Sequence, residues 1–394
     1  MTRPYVVAVG RSPVGQFGMA GRDLFSLAIE EAFAGLPSPR ELVDALYVGS
    51  QSESYEHQIV YGSQFAEWAG LRHVPAQRVE GCAASGGLAF HEAVSDVAAG
   101  THDAVLACGV ETMSTGGTPV ATDSLVAASE RTLGQRSGIT APGVYAMLAQ
   151  RYLHEHDRSE ADLARIAVRN HRNARGNPIA QFDREFSLED VLESPPVADP
   201  IKLLECAPVS DGSAAAIVAS ESVAERLVGL ENAIAVDGFA AVSDALAIAE
   251  HDLTRLKGVE RAVESVYEQA GIGAGDVDLA EVHDAFSINE ALSAEAAGFT
   301  PAGRGHEVAL DPDERSAECT DVRVNTSGGL KARGHPVGAT GIYQIVEAYE
   351  RIVGADRPDG PDRRIADADR ALCLNEGGTA DSITTAHLLS GVDA

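Results

Sequence analysis

The chain has 394 residues, 45% of them hydrophobic, and a formal net charge of −29. That length buries a sizeable core and fits two domains or one duplicated one, while the acidic balance argues against nucleic acid and anionic membranes as partners. No apolar run approaches the roughly 20 residues that span a bilayer, and five cysteines without a Cys-x-x-Cys pair make no disulfide framework.

The opening residues Met-Thr-Arg-Pro-Tyr-Val-Val-Ala-Val-Gly read as a short strand and lack the pattern of a signal peptide, so a cytoplasmic location is expected. Residues 24–34 read as an amphipathic helix, 36–39 as a polar turn and 43–49 as a strand. A small-residue helix follows from about Ala83, then a buried strand over 103–109. Between 114 and 203 the pattern changes: a Gly-, Ser- and Thr-rich stretch to 143, a charged helix over 158–175, and a Pro-rich segment over 194–200. Such an excursion supplies lids and binding loops. The core resumes with a turn and strand over 210–218.

The second half repeats the first. A helix over 258–270 leads through an acidic turn to a strand over 277–283. A smaller acidic insertion occupies 300–321, and the glycine-rich run 328–341 opens another helix before a last core strand over 370–375. Helices alternating with buried strands point to an α/β fold, and the repeat to two copies about a pseudo-twofold axis. The expected organisation is a first half in 1–113 and 204–250, interrupted by an inserted loop domain in 114–203, and a second half in 251–394.

Four places carry chemistry. Cys82 stands at or just before a helix N-terminus, where unsatisfied N–H groups favour the nucleophilic thiolate. The bland alternative is a small cysteine packed between helices. Gly86 and Gly87, poor helix formers, imply close approach of another backbone or a ligand. His335, in a Gly-His-Pro step flanked by glycines, is placed to take a thiol proton and to hydrogen-bond an oxyanion. His283 directly follows a strand end, where α/β folds put catalytic groups. Cys373 and the pair Gly377-Gly378 end the last strand, and the paired N–H groups suit half of an oxyanion hole. Cys108, Cys206 and Cys319 are assigned to packing or surface. No metal site is expected, since no carboxylate–histidine spacing suggests one.

In order along nearly the whole chain, residues 11–17, the Cys82 segment, 109–114, 208–212, His283-Asp284-Ala285-Phe286 and 334–341 resemble the thiolase family. The resemblance implies the thiolase fold, a duplicated five-layered αβαβα arrangement with an inserted loop domain. It implies acyl transfer through Cys82, activated by His335, with an oxyanion hole from the N–H groups of Cys82 and Gly378. Acyl-CoA is then the substrate, no cofactor is needed, and a homodimer or tetramer is expected. Two departures bear on the α-proton base. His283 replaces the asparagine of better-known thiolases, as in archaeal and sterol-carrier-type branches. Cys373 is followed by Leu374-Asn375 rather than by x-Gly. His283 is therefore the expected base or relay, with Cys373 the runner-up. Archaeal-type relatives are associated with a small OB-fold and zinc-ribbon partner protein, and one is expected here. The activity implied is acetyl-CoA C-acetyltransferase, against degradative 3-ketoacyl-CoA thiolysis or a non-catalytic lipid- or CoA-binding role. Lysine occurs only at positions 202, 257 and 331, and such an acidic, lysine-poor surface resembles those of salt-loving cells.

Overall fold

A computed structural model of the chain describes residues 2–354 and 362–392; the expected domain ends at residues 1 and 393–394 lie outside them. The first half runs β1 (Pro4–Arg11), α1 (Gly21–Phe33), β2 (Ala45–Gly49), α2 (Tyr61–Ala69), β3 (Ala76–Val79), α3 (Ser85–Ala99) and β4 (Ala104–Thr112). After an excursion containing α4 (Gly117–Val126), α5 (Ala141–Glu155) and α6 (Glu160–Ala174), β5 (Asp211–Ser220) closes it. The second half opens earlier than the expected residue 251, with β6 (Ile234–Ser243), because that strand pairs along its length with the last strand of the chain. It continues with α7 (Lys257–Ala270), β7 (Leu279–Glu281), α8 (Ser287–Ala296), β8 (Arg323–Val324), α9 (Thr340–Ile352), β9 (Arg370–Gly377) and β10 (Ile383–Ser390).

The strand order is β8-β7-β9-β10-β6-β1-β5-β4-β2-β3. Read from either edge inward, each half places corresponding strands in the same order with the same parallel and antiparallel pairings. The halves meet where β1 pairs antiparallel with β6, Tyr5 opposite Ala235 and Val6 opposite Ile234. The internal repeat of the sequence is thus a structural duplication.

Side-chain alternation explains the layering. On β5, Ala214, Ala216 and Val218 face one core, while Ala215, Ile217 and Ala219 face another. A strand apolar on both faces belongs inside, with helices on each side. Helices α3 and α9 pack against each other between the half-sheets, α1 covers β1 and β5 outside, and α7 covers β6 and β10 on the far side. This is the αβαβα arrangement. At the crossing of α3 and α9 the glycines have their reason: a Cβ at Gly86 would lie 2.9 Å from the Gly338 carbonyl oxygen, and one at Gly341 would overlap the Gly87 nitrogen.

Tertiary packing overrides composition in the excursion. The Gly-, Ser- and Thr-rich stretch forms α4, because Val120, Ala121 and Leu125 pack beside Met113 and Tyr55. The charged helix becomes α6, opened by Ser159 and Asp162 as a capping box. Among the described residues no helix is long and apolar enough to cross a membrane.

Candidate active site

Between β3 and α3 the chain turns sharply at Cys82, which takes a left-handed φ of 55° and begins a one-turn 3-10 helix, Cys82–Ala84. Non-glycine residues held there mark functional turns more often than ordinary ones. Ser85 Oγ pins the turn, donating to the Cys82 carbonyl at 2.6 Å and accepting from Gly81 N–H at 3.0 Å. Cys82 itself is half-buried, in the wall of a cleft of about 570 Å³ that it shares with Gln51, Arg78, Glu80, Val120 and Ser124.

Two backbone donors reach the sulfur, from Gly378 and Ala83. Gly378 sits in the β9–β10 turn with φ of 80°, a conformation glycine adopts without strain. Burial nevertheless pushes the thiol up to about 11, and the carboxylates of Glu80 and Glu111 add to the rise. Desolvation outweighs the N–H groups that favour the thiolate. A neighbouring base is then required.

Glu80 also accepts the Cys82 N–H, at 2.7 Å from Oε1. One of the two donors expected in the oxyanion hole is therefore engaged in this structure. Glu80→Gln removes a negative charge from beside the sulfur. Alkylation of Cys82 by iodoacetamide at pH 7.5 is expected to run severalfold faster in that variant; an unchanged rate would leave burial alone in control of the thiol.

His335 is 8% exposed and follows the turn Gly329–Ala332. Its backbone N–H donates to Ser210 Oγ at 2.9 Å. Thr340 Oγ1 donates to the Pro336 carbonyl at 3.2 Å and lies 2.7 Å from His335 Nδ1. A hydroxyl has one proton, so it accepts from Nδ1–H and leaves the Nε2 lone pair free. Burial holds the imidazole well below its ordinary pKa, helped by His283 and by the Arg333 guanidinium. Val337, two residues on, packs in the same small apolar cluster as Cys82 and Ala83. The turn carrying the histidine and the turn carrying the thiol are thereby held against each other.

His283 lies next to His335, ring centroids 5.2 Å apart and nearly perpendicular. The backbone N–H of Glu376 donates to His283 Nδ1 at 3.3 Å, with Asn375 Nδ2 also at 3.3 Å. A backbone N–H can only donate, so Nδ1 accepts and Nε2 carries the proton. Burial, then Arg333, lowers this histidine to about 3, keeping it neutral. His283 therefore presents its Nε2–H as a donor. Its neighbour Asp284 points away and accepts from Leu330 N–H at 2.6 Å, Lys331 N–H at 3.1 Å and Asn170 Nδ2 at 2.8 Å, fixing the turn before His335.

Cys373 is placed elsewhere. It shares the inward face of β9 with Ala371, in the core between the half-sheets, beside Glu281 on β7. Its thiol donates to the Gln344 carbonyl at 3.5 Å, and burial raises its pKa well above the usual value. That apolar setting corrects its candidacy as a base. Asn375, two residues on along the same face, is the one that reaches His283.

Three side chains not singled out from sequence complete the site. Thr340 stood at the start of the helix after Gly-His-Pro, a local signal. Glu111 stood within the segment 109–114 without being marked for a role of its own, and Asn375 comes from a separate strand. Glu111 accepts from Gln51 N–H at 2.7 Å and Gly338 N–H at 3.0 Å, tying the loop after β2 to the His335 turn. From the excursion, Tyr145 on α5 stacks on Phe286 at 4.6 Å and donates to the Ala380 carbonyl at 3.3 Å.

Comparison with known proteins bears on the family and the fold. The family described as thiolase, N-terminal domain, matches residues 4–222, and that described as thiolase C-terminal domain-like matches 240–390. An acetyl-CoA acetyltransferase of Methanothermobacter thermautotrophicus is 37% identical over 98% of each chain. A benzoylsuccinyl-CoA thiolase subunit of Thauera aromatica is 33% identical over 88% of each. Among solved structures, the Ltp2-ChsH2(DUF35) aldolase superposes with a TM-score of 0.79 at 21% identity, covering 99% of this chain and 98% of that one. At that identity the likeness speaks for the fold alone.

Proposed function

This chain belongs to the thiolase family of acyltransferases, and from that premise we propose that it is an acetyl-CoA C-acetyltransferase working through an acyl-Cys82 intermediate. The observation that carries the reading is a pair of complementary tautomers, His335 with a free Nε2 lone pair and His283 with Nε2–H, the first on a turn packed against the Cys82 turn. One is a base and the other a donor, and both are neutral.

In the first step the Cys82 sulfur attacks the thioester carbonyl of acetyl-CoA while its proton passes to His335 Nε2. The Gly378 N–H faces the oxyanion, and the departing coenzyme A sulfur takes the proton from His335. A second acetyl-CoA then loses an α-proton to His335 Nε2, and its enolate oxygen is held by His283 Nε2–H. The enolate carbon attacks the acetyl-Cys82 carbonyl. Cys82 leaves and recovers the proton, giving acetoacetyl-CoA. Thiolysis is the same sequence reversed.

Mass spectrometry after exposure to acetyl-CoA tests the intermediate: an acetyl group is expected on the peptide containing Cys82, and its absence would end the proposal. The histidine roles are separable. His283→Ala is expected to lower kcat for condensation by about 10²–10³, the usual effect of one oxyanion donor. Acetylation of Cys82, which forms no enolate, should persist. Because the His335 pKa is depressed, the base stays neutral as pH falls through the ordinary histidine range near 6.5. The acid limb of kcat/KM is therefore expected below the ordinary histidine value of about 6.5; a limb at 6.5 or above would remove the buried neutral base.

A second reading, thiolysis of larger 3-oxoacyl-CoA, draws support from the cleft at Cys82, roomier than an acetyl group needs. The ratio of kcat/KM across acyl lengths separates the two. A non-catalytic CoA binder would need neither Cys82 nor His335. A homodimer or tetramer, a cytoplasmic location, a salt-adapted surface and a small OB-fold/zinc-ribbon partner belong to the same proposal. Full turnover by the purified chain alone would remove the partner from it.

A further inference from the structure

Away from the cysteine and the two histidines, the fold gathers three groups that sequence spacing kept apart. Asp244 follows the end of β6, His251 closes the loop after it, and Asp381 lies in the β9–β10 turn. One ligand-type atom from each lies within 4.8 Å of the others. Asp381 is fully buried. Its Oδ2 accepts from Gly258 N–H at 2.6 Å and Val259 N–H at 3.3 Å, capping α7. Its Oδ1 is buried with no hydrogen-bond partner among the described residues, and faces His251 Nδ1 at 3.4 Å.

The histidine tautomer shows what is missing. His251 Nε2 lies 2.6 Å from the Ala245 carbonyl oxygen, so that nitrogen carries the proton. In the neutral ring Nδ1 is then a lone pair directed at a buried carboxylate oxygen, a repulsive contact. The cluster is short of one positive charge, which a second ring proton or a metal ion supplies. We propose that Asp244, His251 and Asp381 bind a divalent first-row transition-metal ion of the zinc or manganese class.

The donor set fits that class. One imidazole and two carboxylates, without sulfur, suit borderline cations. A histidine bound through Nδ1 whose Nε2–H donates to a backbone carbonyl is the usual outer-shell arrangement at metal sites. Ligands about 2.0–2.2 Å from an ion lie at most about 4.4 Å apart, so the cluster must contract slightly. Asp244 is exposed and can swing to do so, leaving the open side to water. An ion here would fasten the loop after β6 to the turn that carries Gly378. Leu246 of that loop already lies 3.4 Å from where a Gly378 Cβ would be.

The test needs no turnover, and so stands apart from the acyltransferase reading. The full chain, stripped by a chelator and dialysed at pH 8, is titrated calorimetrically with zinc chloride and with manganese chloride, and its melting temperature is followed. One equivalent of at least one metal is expected to bind and raise Tm. Asp381→Asn also uncaps α7, so the deciding variants are Asp244→Asn and His251→Gln, each expected to weaken binding at least tenfold. Absence of saturable binding by either metal overturns the proposal and leaves a plain ion pair. Affinity unchanged in both variants overturns it too, placing the ion elsewhere, on a thiol for example.

Discussion

Cys82→Ala is expected to lower kcat/KM for acetoacetyl-CoA thiolysis by at least about 10⁴, or ~5.5 kcal/mol of transition-state stabilisation. The size follows from the chemistry removed. Without the sulfur there is no covalent intermediate, and hydrogen bonds from Gly378 and His283 can only stabilise charge that nothing generates. The thiol, pushed up to about 11, is ionised in only about one molecule in 10⁴ at pH 7. The imidazole is therefore as necessary as the sulfur, and His335→Ala should fall in the same range. Alanine at position 82 keeps the backbone strain and loses little burial, so Tm should stay within a degree or two. A Cys82→Ala protein that retains a tenth of the wild-type rate would show that acyl transfer runs through another group.

Gly341→Ala carries the largest expected loss of stability. The new methyl would overlap the Gly87 backbone nitrogen and Asn375 Oδ1. Neither is the free end of a flexible side chain: Gly87 is fixed in α3, and Asn375 Oδ1 accepts the Gly87 N–H at 3.1 Å. Relief requires α3 and α9 to move apart, and overpacking of this kind costs about 1–3 kcal/mol, more where backbone must shift. A loss of about 3 kcal/mol or more is expected from denaturant titration. Activity should fall further than stability does, because Asn375 also contacts His283. Gly100→Ala is the contrast: it puts alanine at a positive φ, which Gly341 in its helix does not have, but its Cβ meets nothing within 4 Å. A loss at position 341 no larger than at position 100 would show that the helix crossing yields without the cost expected of it.

The architecture was legible because it is written in local periodicity. The helix–turn–strand units at 24–49 and 258–283 repeat one pattern, and β5 is apolar without a break from Ala214 to Ala219, so both its faces read as buried. Cys82 and His335 were legible because glycines around them had no local explanation. What stayed hidden depends on partners far along the chain. The tautomer of His283 is fixed by a backbone N–H ninety-three residues away. The depth of Cys373 follows from its register opposite Glu281, although its face on β9 was already implied by alternation. Glu80, two residues before Cys82, was visible throughout; that its carboxylate folds back onto the Cys82 N–H depends on the sharp turn at Cys82. Asp381 and His251 meet only because the β9–β10 hairpin brings its turn beneath the loop after β6.

The strand that opens the chain lies at the middle of the finished sheet, with Tyr5 opposite Ala219 on one side and Ala235 on the other. Both flanking strands are synthesised long after it, beyond the whole excursion. During translation β1 therefore has no ladder to join, and its Tyr-Val-Val-Ala-Val run waits with both edges open. Assembly of this protein is governed by contacts of long sequence separation, the regime in which folding is slow and unpaired strands are vulnerable to aggregation. Its yield should depend on how well the nascent chain is shielded until the second half begins to emerge.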